Sequence, residues 1–214
     1  MINLHCHTFF SDGSLSPSEL LYRCINLKYR AVAITDHSDE SNFEFLLKNI
    51  KKTVDEFNKK KLIKVLTGIE LTYLIPDNIS KVAKECRKLG AEIIVVHGET
   101  IAETVPTETN HCAVKCPDVD ILAHPGIINE EEIKLAVKNN IYLEITSRAG
   151  HSLTNGYVAK NALKYGAKLV LNTDAHEPED LINLEFAVKT LLGSGLDNEQ
   201  IAAVLKNSEK LAGL

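Results

Sequence analysis

Ala31-Val32-Ala33-Ile34-Thr35-Asp36-His37 is a run of strand length that is apolar without alternation and stops on polar side chains. A strand with no polar alternation is covered on both faces, as in a parallel sheet packed under helices. The stretch before it has the other period. Leu20, Leu21, Cys24, Ile25 and Leu27 recur as they would along one face of a helix. Ser16 stands where an N-cap belongs, with Pro17 at the first helical position. After the run, Ser41 opens a second helical pattern of about 18 residues.

The same order of short apolar run, polar cluster and amphipathic stretch continues in both directions. Seven runs read as strands: Ile2–His5, Ala31–Thr35, Lys64–Glu70, Glu92–His97, Asp120–His124, Ile141–Thr146 and Lys168–Thr173. Further helical patterns cover Ile79–Leu89, Asn129–Lys138, Thr154–Tyr165, Glu179–Leu192 and Asn198–Lys206, with Gly90 as a stop signal. Gly98–Pro117 is the least regular segment. It holds two prolines and a short helix near Asn110–Lys115, and it follows a strand end, which suits the rim of a site.

Repeated strand–helix units require parallel strands joined by right-handed crossovers. An open doubly wound sheet gathers functional residues only at its switch point, whereas a barrel brings the C-terminal end of every strand to one mouth. Chemistry-bearing residues follow all seven runs, and no glycine-rich phosphate loop follows any of them. The expected fold is therefore α/β, a TIM-like β/α barrel with seven strands, forming a single domain over residues 1–214.

The bulk numbers narrow the function. Hydrophobic residues at 44% supply a core, and charged residues at 25% match a globular chain. A net charge of −5 argues against a broad nucleic-acid surface. It leaves room for a small anionic substrate, because bound metal ions reverse the local charge of a site. No apolar run reaches the roughly 18 residues of a membrane span. Met1–His5 has no basic region ahead of an apolar stretch, so no leader is expected and the cytoplasm is the expected location. Five cysteines without a regular framework suit a reducing compartment. Cys112 and Cys116 could share a helix face, but with no further ligands beside them they read as packing residues.

Six of the eight histidines lie within or just after a run: His5, His7, His37, His97, His124 and His176. One such histidine would read as a packing residue. Six at equivalent positions do not, because a buried unpaired imidazole is costly. His5-Cys6-His7 sets two imidazoles on one face of an extended chain and turns Cys6 to the other, and Asp174-Ala175-His176 repeats the spacing. Glu70 ends the third run, Asp12 sits in the turn Ser11-Asp12-Gly13, and Asp36-His37 ends the second. Imidazoles with carboxylates suit zinc, manganese or iron, and nine such groups exceed the needs of one four-coordinate ion.

These pieces have a known order. His5-Cys6-His7-Thr8, Ser11-Asp12-Gly13, Ile34-Thr35-Asp36-His37, Gly68-Ile69-Glu70, His97-Gly98, Ala123-His124-Pro125-Gly126 and Asn172-Thr173-Asp174-Ala175-His176 together resemble the polymerase and histidinol phosphatase (PHP) family, from Asn3 to around Glu177. The resemblance implies a distorted seven-stranded β/α barrel that holds two to three divalent ions (zinc, manganese or iron). By motif, His5, His7, Glu70 and Asp174 would bind the first ion. Glu70 would bridge to a second, completed by His97 and His124, and Asp12, His37 and His176 would hold a third. Some relatives carry histidine where this chain has Asp12, which points to a different affinity or metal preference at the third position.

The resemblance also implies hydrolysis of phosphate esters, with Glu70 and Asp174 at the reacting centre. A hydroxide shared by two ions about 3.5–4 Å apart would attack phosphorus, and the third ion would offset the developing charge. No side-chain nucleophile is called for. Arg148, after Glu144-Ile145-Thr146-Ser147, could grip phosphate in a fork, or pair with a carboxylate instead. His151 is a candidate acid for the leaving group. Glu99 could orient the neighbouring His97. His111 reads as a rim residue and Lys59-Lys60-Lys61 as a solvated helix end.

Three functions compete. The first is a phosphatase of a small phosphomonoester such as histidinol phosphate or a nucleotide. The second is a phosphodiesterase or exonuclease on nucleic-acid ends. The third is a non-catalytic metal-binding module, as when PHP domains accompany DNA polymerases. The acidic balance and the lack of a basic, aromatic-rich groove favour the first over the second, and the complete ligand set disfavours the third. Short rim loops such as Gly98–Pro117 would choose the substrate.

Overall fold

Strands and helices alternate along residues 1–214, all of which the computed structural model describes. The strands are β1 (Ile2–Asn3), β2 (Ala31–Ile34), β3 (His37–Ser38), β4 (Lys64–Leu71), β5 (Ile93–His97), β6 (Ile121–Ala123), β7 (Tyr142–Thr146) and β8 (Leu169–Asn172). The helices are α1 (Pro17–Asn26), α2 (Phe43–Lys60), α3 (Ile79–Lys88), α4 (Thr109–Lys115), α5 (Glu130–Asn139), α6 (Asn155–Tyr165), α7 (Leu184–Gly193) and α8 (Asn198–Leu211).

The ladders are parallel and run β1-β2-β4-β5-β6-β7-β8. The additional strand β3 belongs to the same sequence run as β2. Ile34 pairs with Thr67 and His37 with Glu70, so the register against β4 is kept while Thr35-Asp36 leaves the ladder. The seven runs read from the sequence are thus the seven staves of a nearly closed barrel.

Alternation along the strands divides the core. Val32, Ile34, Val65, Ile69, Ile94, Val96, Leu122, Leu143 and Leu171 face the helices. Ala31, Ala33, Leu66, Ile93, Val95, Ile121, Ala123, Tyr142 and Val170 fill the inside. Inward positions continue, with period two, to Glu70, His97, Glu144 and Asn172 at the C-terminal ends. The apolar plug therefore gives way to polar groups only at the mouth.

Closure between β1 and β8 uses side chains in place of a full ladder. Asn3 Nδ2 donates to Thr173 Oγ1 (2.8 Å), Thr173 N to Asn3 Oδ1 (2.9 Å) and Leu4 N to Asn172 Oδ1 (2.7 Å). Above them, Asp174 N donates to His5 O (2.9 Å) and His7 N to Ala175 O (2.8 Å). The amides satisfy backbone groups that a regular ladder would pair, and the seam ends on the two ligand-bearing segments.

Helix ends follow local chemistry. Ser16 caps α1 by accepting from Glu19 N, with Pro17 at the first position as expected. The expected helix at Glu179 begins instead at Leu184. Pro178–Asp180 forms a 3-10 turn, because Asp180 Oδ2 accepts from the backbone of His176 and Glu177, and Asn183 then caps α7. α8 runs past Lys206 to Leu211, where Ala212 packs against the interior cluster at the closed end of the barrel. No helix is long and apolar enough to cross a membrane.

Candidate metal centre

The seam places His5 and His7 against Asp174. His7 Nε2 lies 3.1 Å from Asp174 Oδ1, and His5 Nε2 lies 3.5 Å from the same oxygen. β4 brings Glu70 beneath them, with Oε1 3.2 Å from His5 Nε2 and Oε2 3.6 Å from His7 Nε2. β3 keeps the register that sets His37 beside Glu70, Nδ1 to Oε2 at 2.5 Å. Asp12 reaches over from the first loop to His176 Nε2 (3.2 Å) and His37 Nε2 (3.6 Å).

His124 arrives by a different route. Ile121 and Ala123 point inward, so position 124 is out of phase, and a backbone φ of 25° turns it into the mouth. Asp174 is also left-handed, at φ 50°. Such conformations cost non-glycine residues about 1–3 kcal/mol and collect at functional sites. His124 Nε2 ends 3.6 Å from Asp174 Oδ2 and 3.9 Å from Glu70 Oε1, and its ring centroid is 4.5 Å from that of His97.

All nine candidate ligands thus converge. Within the cluster, His5, His7 and Asp174 form one compact set, Glu70, His97 and His124 a second, and Asp12, His37 and His176, with His7, a third. The donor set fits divalent ions on the structure's own terms. His5 Nε2, both ring nitrogens of His7, Glu70 Oε1, His97 Nδ1, His124 Nδ1 and Asp174 Oδ1 are buried without a hydrogen-bond partner. An unsatisfied buried polar atom costs about 1–3 kcal/mol, and a coordinated ion removes that cost at each atom it binds, one ring nitrogen per histidine. The shorter separations, 3.1–3.5 Å, also match the edge of about 3.3 Å expected between tetrahedral ligands about 2.0–2.1 Å from a zinc-sized ion.

The clustered charges shift one another's titration. Burial works to lower the pKa of His37, but Glu70 beside it, with Asp12 and Asp174, outweighs this and raises it to about 9. Burial and the neighbouring His37 push His7 well down. Glu70 is held well below the usual range, because His5 and His37 overcome its desolvation. Burial raises Asp174 to about 6 even though His5 opposes it. Burial alone would raise Asp12, but His176 and His37 bring it down to about 2.

Other residues fall in and out of place. Glu144, which the sequence did not single out, is fully buried beneath the centre. Its Oε1 accepts from His5 Nδ1 (2.8 Å) and Asn172 Nδ2 (2.9 Å), and its Oε2 accepts from His124 N (3.2 Å). Glu103, also not anticipated, reaches from the rim to His97 Nε2 (3.3 Å) and His151 Nε2 (3.4 Å). His151 stacks on His124 at 4.2 Å, and its Nδ1 is 2.7 Å from Thr100 Oγ1. Arg148 lines the mouth and at the same time donates from Nη1 to Asp180 Oδ2 (2.7 Å). Glu99 does not orient His97. It pairs with Asn110 on α4, accepting from its N and donating to its Oδ1 (2.9 Å each), and so anchors the rim loop. Cys6 turns away from the ligands and donates to Ala33 O (3.2 Å). Asp36 is structural, binding Thr8 and Ser11 of the first loop.

The centre opens into a cavity of about 590 Å³ lined by fourteen residues, thirteen of them polar or charged. That size suits a small molecule.

Comparison with known proteins bears on this geometry. A model of the PHP domain matches residues 3–211. An uncharacterised protein of Methanocaldococcus jannaschii is 50% identical over 211 residues, 97% of this chain and 96% of that protein. The DNA polymerase/3'-5' exonuclease PolX of Bacillus subtilis is 29% identical over 205 residues, which cover 87% of this chain but only 36% of PolX. A protein of Thermoanaerobacter sp. strain X514 described as a probable phosphatase is 24% identical over 221 residues, 94% of this chain and 89% of that protein.

Proposed function

This chain belongs to the PHP domain family and is a metal-dependent hydrolase of phosphate esters; we propose that it cleaves a small phosphomonoester at a centre for three divalent ions. The observation that carries this reading is the group of seven buried, unpaired side-chain atoms that six candidate ligands bring to one polar mouth. His5, His7, Glu70 and Asp174 would hold one ion, Glu70, His97 and His124 a second, and Asp12, His37 and His176 a third. Zinc, manganese and iron all suit these donors. Such ions supply Lewis acidity and bring the pKa of water towards neutrality.

The protein's own groups do the rest. Glu144 accepts a hydrogen bond from His5 Nδ1 and so aims its Nε2 at the centre. The carbonyl of Asp174 does the same for His176, 2.9 Å from Nδ1, which turns Nε2 towards Asp12. Arg148 is tied to Asp180 through one nitrogen, which leaves the remainder of its fork for a phosphoryl oxygen. His151, beside His124 at the mouth, would protonate the leaving oxygen. Burial lowers its pKa, while the Glu103 carboxylate, and an anionic substrate beside it, act in the other direction.

The size of the cavity, the net charge of −5 and the single arginine at the mouth favour a small monoester over a polynucleotide. The test is elemental mass spectrometry on protein purified without chelator and again after reloading with manganese or zinc, followed by a screen for phosphate release. Two to three ions per chain with metal-dependent release are expected. One ion or none after reloading would overturn the centre. Release of nucleotides from a single-stranded DNA end, without release of phosphate from monoesters, would move the reading to a phosphodiesterase.

A further inference from the structure

We propose that Tyr73 selects the alcohol side of the substrate by stacking against a planar heteroaromatic ring, so that the preferred ester is nucleotide-like. This rests on the phosphomonoester reading above and narrows it. Tyr73 is the one hydrophobic residue among the fourteen that line the cavity. It stands three residues beyond Glu70, and 58% of its surface is exposed. Its ring lies at 23° to the ring of His97, with centroids 6.0 Å apart, so it rises beside the centre with its plane aligned to a ligand of the second set.

The backbone fixes where the ring stands. Tyr73 has a φ of 56°, in the left-handed region that favours glycine or asparagine over a bulky residue. The turn sends Leu74 into the core and lets Thr72 Oγ1 meet His37 Nδ1 at 2.7 Å. Glycine would make that turn with less strain. An exposed aromatic ring adds nothing to the core, and it occupies the lip of the one cavity that opens on the metal ligands.

The surroundings decide the ligand class. An alkyl group needs apolar walls on several sides, and the other thirteen lining residues are polar or charged. One flat apolar face amid polar side chains suits a flat ring whose edge carries hydrogen-bonding groups. Asp39 and Asn42 line the same cavity; Asp39 Oδ1 accepts from Ser41 N (2.7 Å) and Ser41 Oγ (2.6 Å), so its Oδ2 and the Asn42 amide are what such an edge can meet. The Asn42 carbonyl is engaged by Asp39 N at 3.0 Å, so its NH2 group is the part left for a ligand.

The test compares adenosine 5'-monophosphate with ribose 5-phosphate, which keeps the phosphate and sugar and lacks the base, on the full chain loaded with manganese or zinc. Stacking predicts that kcat/KM favours the nucleotide by about tenfold or more. The ratio should collapse in Tyr73→Ala, mainly through KM, and survive in Tyr73→Phe. Saturation-transfer NMR with adenosine and the zinc-loaded protein gives a readout that needs no turnover. The base protons should be saturated in the native protein and in Tyr73→Phe but not in Tyr73→Ala. A wild-type enzyme without preference, or a Tyr73→Ala protein that keeps both preference and saturation, overturns the proposal. If neither ester is hydrolysed, the phosphomonoester reading is left to the wider phosphate-release screen, and Tyr73-dependent saturation alone decides whether the ring is read.

Discussion

Glu144 shows how much of the candidate centre depends on a side chain outside the nine ligands read from the sequence. It accepts hydrogen bonds from His5 Nδ1, Asn172 Nδ2 and His124 N, and all three donors are buried. Glu144→Ala would strand them, with an expected loss of about 3 kcal/mol or more in denaturant unfolding. Glu144→Gln keeps the volume but removes the charge facing His5. It should weaken metal binding about 10- to 100-fold in competition with a chelator. Wild-type affinity in that variant would reduce Glu144 to a packing role. Neither Glu144 nor its task was legible in the sequence. In Tyr142-Leu143-Glu144-Ile145-Thr146 a lone acid looks like a solvent-facing position, and its partner His5 is 139 residues away. His5-Cys6-His7 was legible because a period of two fixes which side chains share a face. His37 contributes a pH dependence to the third set, beside His176, whose pKa is also raised. The folded pKa of His37 is about 9 against an ordinary 6.5, so between those values the metal-free protein holds a proton that a ligand must give up. Metal affinity at the third set should therefore rise with pH by about tenfold per unit and level off above about 9. Stability of the chelated protein moves the other way. The contribution from the raised pKa is complete below 6.5 and is lost as pH climbs through the folded value. Affinity that is flat across this window would remove His37 from the ligand set.

At the scale of elements, the strand ends act through close contacts between neighbouring loops. Gly126 follows the His124 turn with a φ of 62°, and a Cβ there would lie 2.0 Å from the carbonyl oxygen of Glu99. Gly98 is equally confined, its would-be Cβ 2.2 Å from the Ala123 carbonyl oxygen. These two glycines hold the loops after β5 and β6 together, and with them His97 and His124. Gly126→Ala should cost about 2–3 kcal/mol through overpacking and the positive φ. It should also lower manganese stoichiometry by emptying the second set before the others. Unchanged stoichiometry would show that the loops can separate without moving their ligands. Strand and helix positions were read well wherever an apolar run or a helical period was long. The failures have local causes. Asp180 spends its carboxylate on the turn before α7 and on Arg148, so the helix starts later than its composition suggests. The amide seam between β1 and β8 was invisible, because Asn3 and Asn172 look like ordinary polar residues until the barrel closes.

For the whole molecule, the centre is where the barrel is tied together. Its candidate ligands come from the ends of β1, β4, β5, β6 and β8, from β3 and from the first loop, so each ion would join segments far apart in the chain. The barrel itself could be argued from the sequence because chemistry followed every strand, an arrangement that only a closed ring brings to a single mouth. What that argument could not supply was the cost of the mouth without ions. The seven unpaired atoms lie among strand ends whose own closure rests partly on side-chain amides. Ions that bind only the folded chain add stability of about 2.7 kcal/mol each at a hundredfold excess over Kd. For a chain of this size about 1 kcal/mol moves the thermal midpoint by roughly 2–4 °C. Treatment with a chelator should therefore lower Tm by roughly 5–10 °C for every ion removed, and zinc or manganese should restore it. Calorimetry with and without chelator checks this, with elemental content measured on the same samples. A midpoint that does not move while ions leave would mean that the amide seam and the glycine contacts hold the mouth unaided. A midpoint that falls in separate steps as ions leave would instead assign each step to one set, and Asp12→Ala should abolish only the step that belongs to the third.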